Sequence, residues 1–239
     1  MYEHSWPEYL SEELRASGFH GTVINGGVEG YSTSQELLKL IRDGVNFHPD
    51  VVISYSGVND RGAYSAPGHP MVHSYQKELF ANLASADVRS PFMASTIYAL
   101  NISFDLKESQ ISVNLGPEVK VNPSEQWEKN VRLMREVALL NDAEFLATVQ
   151  PYRWLKESEV SSLRDDRKTY AQAVQSWYQE ITPLAERAPF IHDFSQFLET
   201  RRELFKDDGV HLTAAGDKLI ASQVLTVLKT INLWQSQDG

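Results

Sequence analysis

The segment DDGVHL, residues 207–212, sets Asp208 three residues ahead of His211 on a turn that leads into a helix. A carboxylate so placed can hold a histidine in one tautomer and leave its second ring nitrogen to move a proton. Taken alone, the same four residues also describe an acidic loop with a histidine near a helix start. Two further stretches change the weighing. In NGGVEG, residues 25–30, the glycines allow positive φ and a close backbone approach, so that the N–H of Gly30 can point at a ligand; the alternative is a tight turn and nothing more. In SGVND, residues 56–60, Asn59 can donate its side-chain N–H to a developing oxyanion, or can close a loop by an Asx turn. Each stretch follows a predicted strand, which is where α/β proteins set their sites.

The elements that must carry these residues are legible from spacing. A helix is expected over about Ser5 to Ser17, with Ser5 and Glu8 at capping-box spacing and Trp6, Leu10 and Leu14 on one face. Thr22 to Ile24 reads as a short strand, and a helix capped at Ser32 or Thr33 follows, with Leu37, Leu38 and Ile41 buried. DVVISYS, residues 50–56, is an apolar run expected to be covered on both faces. Strand, loop, helix and strand in this order make a βαβ unit and so a parallel sheet. Beyond Asp60 the rhythm is lost until Asn122, and the 61–122 stretch reads as an insertion or cap. A helix over about 122–141, a strand over 144–149, one long polar helix over about 162–187, a strand over 190–194 and a last helix from Thr213 to about Ile231 complete the chain. The last helix carries Leu219, Ile220, Val224, Val227 and Ile231 on one side. One domain over residues 1–239 is the expectation.

Bulk properties narrow the function. With 239 residues, 42% hydrophobic and 23% charged, the chain can bury a core of ordinary size. A net charge of −10 without clustered Lys and Arg argues against nucleic acid and against anionic membranes. The absence of cysteine excludes disulfides, thiolate catalysis and thiolate metal sites. No apolar run is long enough for a membrane span, and MYEHSWPEYL does not have the form of a signal peptide. The compartment stays unknown. His69 and His73, the close histidine pair, flank a Gly/Pro loop rather than a helix face, which is a poor metal site.

In order and context, GGVEG, GVND and DGVH resemble the second, third and fifth conserved blocks of the SGNH (GDSL-type) hydrolases. That resemblance implies a flavodoxin-like, three-layer α/β/α fold and the chemistry of a serine esterase or acylhydrolase, without metal or organic cofactor. Position by position, it implies that Gly30 and Asn59 supply the oxyanion donors, that His211 is the general base and that Asp208 orients it. The partner implied is an ester of a small molecule, lipid or glycan. The insertion, with Tyr64, Tyr75, Phe80, Phe92, Tyr98 and Phe104, would shape its pocket or form a small core of its own.

The family's first block, a Gly-Asp-Ser turn after the first strand, has no counterpart in the 239 residues. Ser5, Ser32 and Ser34 look like helix caps, and Ser54 and Ser56 lie within a strand. The nucleophile is therefore expected upstream of Met1, the sequence being a fragment whose first strand is missing. The alternatives are a catalytically inactive module that binds carbohydrate or another ligand, and an O-acyltransferase using the same residues.

Overall fold

The computed structural model describes residues 5–19, 21–65, 122–206 and 209–231. Most of the proposed insertion, with Tyr75, Phe80, Phe92, Tyr98, Phe104, His69 and His73, lies outside the described residues, as do Asp208 and the side chain of Tyr64. The chain forms two compact units, Met1–Glu29 with Leu146–Gly239, and Gly30–Phe145.

In the first unit, α1 (Trp6–Ala16) starts as expected: the Glu8 carboxylate accepts from the Ser5 N–H at 2.8 Å, Pro7 occupies the first turn, and Leu10 and Leu14 are buried. This helix packs on the C-terminal helix Ala214–Thr230, and the Ser222 hydroxyl donates to Glu13 across their contact. Between them in sequence come β2 (Glu144–Val149), α5 (Glu157–Ser162), α6 (Asp165–Ile181), a single turn Leu184–Arg187 (α7) and β3 (Ile191–Asp193). Strands β2 and β3 pair in parallel, Ala147 opposite Ile191 and Val149 opposite Asp193. The expected single helix over 162–187 is thus broken: α5 ends at Ser162, and α6 and α7 share the rest. Leu163 and Arg164 are extended, and Pro183, which lacks an N–H, stands where a longer helix would need a donor. The core gathers Val174, Trp177, Tyr178 and Ile181 of α6 under Tyr152, whose ring stacks on that of Tyr178 at 5.6 Å.

The C-terminal helix, α8, is capped by Thr213, whose hydroxyl accepts from the Gly216 N–H. Ile220, Val224 and Val227 are buried, joined by Ala221, Leu225 and Leu228, while Leu219 and Ile231 are half-buried. A Cβ on Gly216 would lie 2.7 Å from the Leu204 carbonyl oxygen. Gly216→Ala is accordingly expected to destabilise the chain by about 1–3 kcal/mol in urea unfolding, although alanine is the better helix former. A variant as stable as the parent would refute this contact.

In the second unit the order is α2 (Thr33–Arg42), a 3-10 turn Gly44–Phe47, β1 (Val51–Ser56), α3 (Val58–Ser65) and α4 (Pro123–Leu139). Asn122 caps α4 by accepting from the Ser124 N–H at 3.0 Å, and Trp127, Val131, Met134 and Ala138 form its buried stripe. The Glu144 N–H donates to the Asp50 carbonyl at 2.9 Å, which seats the start of β2 in this unit.

Three expectations fail here or nearby. In α2, Leu40 is buried, whereas Leu38 and Ile41 are about half exposed, because the helix meets α4 through Thr33 and Ser34, which bond to Asn130. Strand β1 is not closed on both faces, since Val51, Val52 and Ile53 are only half-buried. The segment Thr22–Ile24 is no strand: among the described residues 21–28 makes no backbone–backbone hydrogen bond, and an Asx turn follows, with Asn25 Oδ1 accepting from the Gly27 N–H at 3.0 Å. Extended chain becomes a strand only when its backbone groups pair with a neighbour.

Candidate active site

The turn before α2 is built around Gly30, whose φ of +79° is one that only glycine adopts without strain of about 1–2 kcal/mol. From there the chain enters the helix through Ser32, whose N–H donates to the Gln35 side chain at 3.0 Å. Asn59 and Asp60 stand at the start of α3, just beyond β1, and both reach back to this turn. Asn59 Nδ2 donates to the Tyr31 carbonyl at 3.1 Å. Asp60 Oδ1 accepts from the Thr33 N–H at 2.9 Å and from the Thr33 hydroxyl at 2.5 Å. The structure therefore ties Asn59 to the residue next to Gly30.

Behind these bonds lies a buried polar interior that sequence reasoning missed. Asn130 Nδ2 donates to Thr33 Oγ1 at 3.0 Å and to Ser34 Oγ at 2.9 Å, and its own Oδ1 accepts from Gln126 at 2.8 Å. Glu36 accepts from the Ser54 hydroxyl at 2.7 Å, Ser54 and Ser56 are 3.4 Å apart, and the Trp127 indole N–H donates to Ser56 at 3.3 Å. Burial pushes the Glu36 carboxyl up to about 8, with the nearby negative charge of Asp60 adding to the effect and the Ser54 bond opposing it. Asp60 is raised to about 7 by burial against the pull of the two Thr33 donors. One sign was available in the sequence: Asn130 interrupts the apolar stripe of α4 between Trp127 and Val131.

In the first unit, His211 sits on a turn braced by the backbone. The Lys206 N–H donates to the His211 carbonyl at 2.8 Å, Phe205 and Leu212 form an antiparallel bridge, and the Thr213 N–H donates to the Leu204 carbonyl at 2.8 Å. Gly209, at φ +73°, accepts on its carbonyl from the Arg153 N–H at 2.9 Å. The imidazole is half exposed, with Nε2 3.8 Å from a Glu29 carboxylate oxygen. Asp217, in the first turn of α8, is raised to about 6 by burial, against the pull of Lys206 and His211.

Gly30 and Asn59 are thus brought together within one unit, and His211 stands in the other. The model of the GDSL-like lipase/acylhydrolase family matches residues 1–219. The chain belongs to that family.

Among curated proteins, no sequence matches this GDSL-family chain. Solved structures do resemble it. An acetyl xylan esterase, AlAXEase, is 13% identical with a TM-score of 0.55, the match covering 94% of this chain and 90% of that one. A catalytic mutant of an acetylxylan esterase from Geobacillus stearothermophilus is also 13% identical, with a TM-score of 0.52 and coverage of 93% and 80%. Likeness at this level shows a common fold, the three-layer α/β/α arrangement with a parallel sheet that the motifs led us to expect. Among the described residues of the GDSL-like chain, no helix is long and apolar enough to cross a membrane.

Proposed function

We propose that this GDSL-family protein is a serine ester hydrolase whose nucleophile lies upstream of Met1. In this reading the serine Oγ attacks the ester carbonyl carbon while His211 takes its proton, and Asp208 orients the ring. The oxyanion of the tetrahedral intermediate accepts from the Gly30 N–H and the Asn59 side chain. The alkoxide leaves with the proton from His211, and water then releases the acid by the same route. The observation that carries the reading is the Asn59–Tyr31 bond, which supports a shared oxyanion role for Asn59 and the adjoining Gly30. One Asn59 N–H holds the turn, and an amide has a second to offer.

Among the described residues, the serines nearest the motif stretches support an upstream nucleophile. Ser32, Ser34, Ser54 and Ser56 are all buried and hydrogen-bonded, and Ser5 stands at the start of α1. A buried hydroxyl held in this way cannot reach an ester. The same fact favours a second reading, a ligand-binding module on the hydrolase fold. An acyltransferase would use the same residues, with an acceptor alcohol in place of water.

An O-acetyl ester of a glycan is the substrate to test first, given the acetyl xylan esterases that share the fold. The 239-residue chain is expected to take no label from a fluorophosphonate probe, and a form extended to include a Gly-Asp-Ser strand is expected to be labelled on that serine. Failure of the extended form to react would favour the binding module. In the extended form, Asn59→Ala should lower kcat by about 10²–10³-fold. An unchanged kcat would remove Asn59 from the oxyanion site.

A further inference from the structure

We propose that Asp60 is a positioning residue for the oxyanion donors, acting through Thr33 and held in place by Asn130. Its purpose rests on the esterase reading above; its geometry does not. Asp60 is fully buried, and a buried carboxyl is costly unless it is bonded. The hydrogen bonds it accepts from other residues, among the described residues, both fall on Oδ1 and both come from Thr33, while Oδ2 is buried with no hydrogen-bond partner there. An apolar side chain in its place would leave the buried Thr33 N–H and hydroxyl without an acceptor. The carboxyl instead grips the first residue of α2, where the exposed N–H groups of the helix start favour a negative charge.

The hydrogen-bond directions leave little freedom. Gln126 donates to Asn130 Oδ1, so the Asn130 Nδ2 is the end that faces Thr33 and Ser34. Thr33 Oγ1 accepts from Asn130, and its single proton is therefore sent to Asp60. Consecutive residues, Asn59 and Asp60, thus hold the Tyr31 carbonyl and the Thr33 N–H from one side. With both anchors held, the peptide planes on either side of Ser32 are fixed, and Gly30 stands one residue before the first of them. Oxyanion donors are effective only within about 0.5 Å and 10–20° of their target, so such a clamp has a use in catalysis. The segments it joins are 27 positions apart for Thr33 and Asp60 and 97 apart for Thr33 and Asn130, so nothing in the local sequence duplicates it.

The test is hydrogen exchange and ¹H–¹⁵N NMR on the 239-residue chain, comparing Asp60→Asn, Thr33→Ser and Thr33→Val with the parent. Asp60→Asn should speed exchange of the Thr33 amide by at least about tenfold and shift the Gly30 amide and the Asn59 side-chain signals. The Val224 and Leu228 amides of α8, in the other unit, serve as the reference and should stay within about twofold. Thr33→Ser, which keeps the hydroxyl, should match the parent. Unmoved Gly30 and Asn59 signals in Asp60→Asn would overturn the proposal, and so would an equal loss of protection at Val224 and Leu228, which marks a purely structural role. Should Asp60→Asn fail to fold, Thr33→Val supplies the decision: the same local changes support the clamp, and parent-like spectra overturn it. None of these readouts involves ester cleavage, so an inactive chain and a failed clamp are told apart.

Discussion

His211→Ala, in a form of the protein that includes the family's serine, is expected to lower kcat/KM for short-chain p-nitrophenyl esters by about 10²–10⁴-fold. The loss follows from two proton transfers in each half-reaction, one from the attacking oxygen and one to the leaving oxygen. His211 suits this work because its ring is half exposed on a turn braced at Lys206, Leu204 and Leu212, so the side chain reaches solvent while its backbone is hydrogen-bonded. The half-exposed imidazole lies outside the buried core, and circular dichroism and the unfolding midpoint of the variant should be close to those of the parent. Activity equal to the parent's would end the assignment of His211 as base. Activity lost together with the fold would leave the serine-bearing His211→Gln variant, which keeps bulk and polarity but cannot be the base, to decide it.

Stability should fall as pH rises from about 5 to about 8. Glu36 and Asp60 each bind a proton more tightly when folded than their ordinary values of 4.5 and 3.8 allow, Glu36 up to about 8 and Asp60 up to about 7. In the windows between, the folded chain holds protons that the unfolded chain has released. Each carboxyl then removes up to about 1.4 kcal/mol of stability per pH unit as pH climbs. The contribution is complete below the ordinary values and is lost through about 7 for Asp60 and about 8 for Glu36. Of the two, Glu36 is the better holder of the proton near neutrality, because the two Thr33 donors and the start of α2 favour the charged form of Asp60. Urea unfolding at pH 5.5, 6.5 and 7.5 should show a midpoint that falls steadily. Glu36→Gln, with a neutral amide that can still accept from Ser54, should flatten the profile. A parent whose midpoint does not change with pH, or a variant with the parent's slope, would contradict the buried-acid reading.

Local chemistry was legible from the residues alone. Ser5 with Glu8, Asn122 with Pro123, and Thr213 mark helix starts because a cap is satisfied within a few residues of itself. The glycine at position 30 and the three motif stretches pointed to the family and its fold, and β2 stands over the expected residues. Decisions that depend on a distant neighbour were not legible. Whether Thr22–Ile24 is a strand depends on a pairing partner, and whether Leu38 or Leu40 of α2 is buried depends on where α4 lies. From the sequence, Thr33 is one of two candidate helix caps, and Asn130 is one position within the helix expected over about 122–141. Only folding joins them to Asp60, since a buried hydrogen bond is set by three-dimensional proximity and the residues that make this one are far apart along the chain. The sequence by itself determined which chemistry could be present. The tertiary structure alone decided that Asn59 and Asp60 reach back to hold the turn at Gly30, because desolvation inside the fold makes each of those polar groups depend on the other.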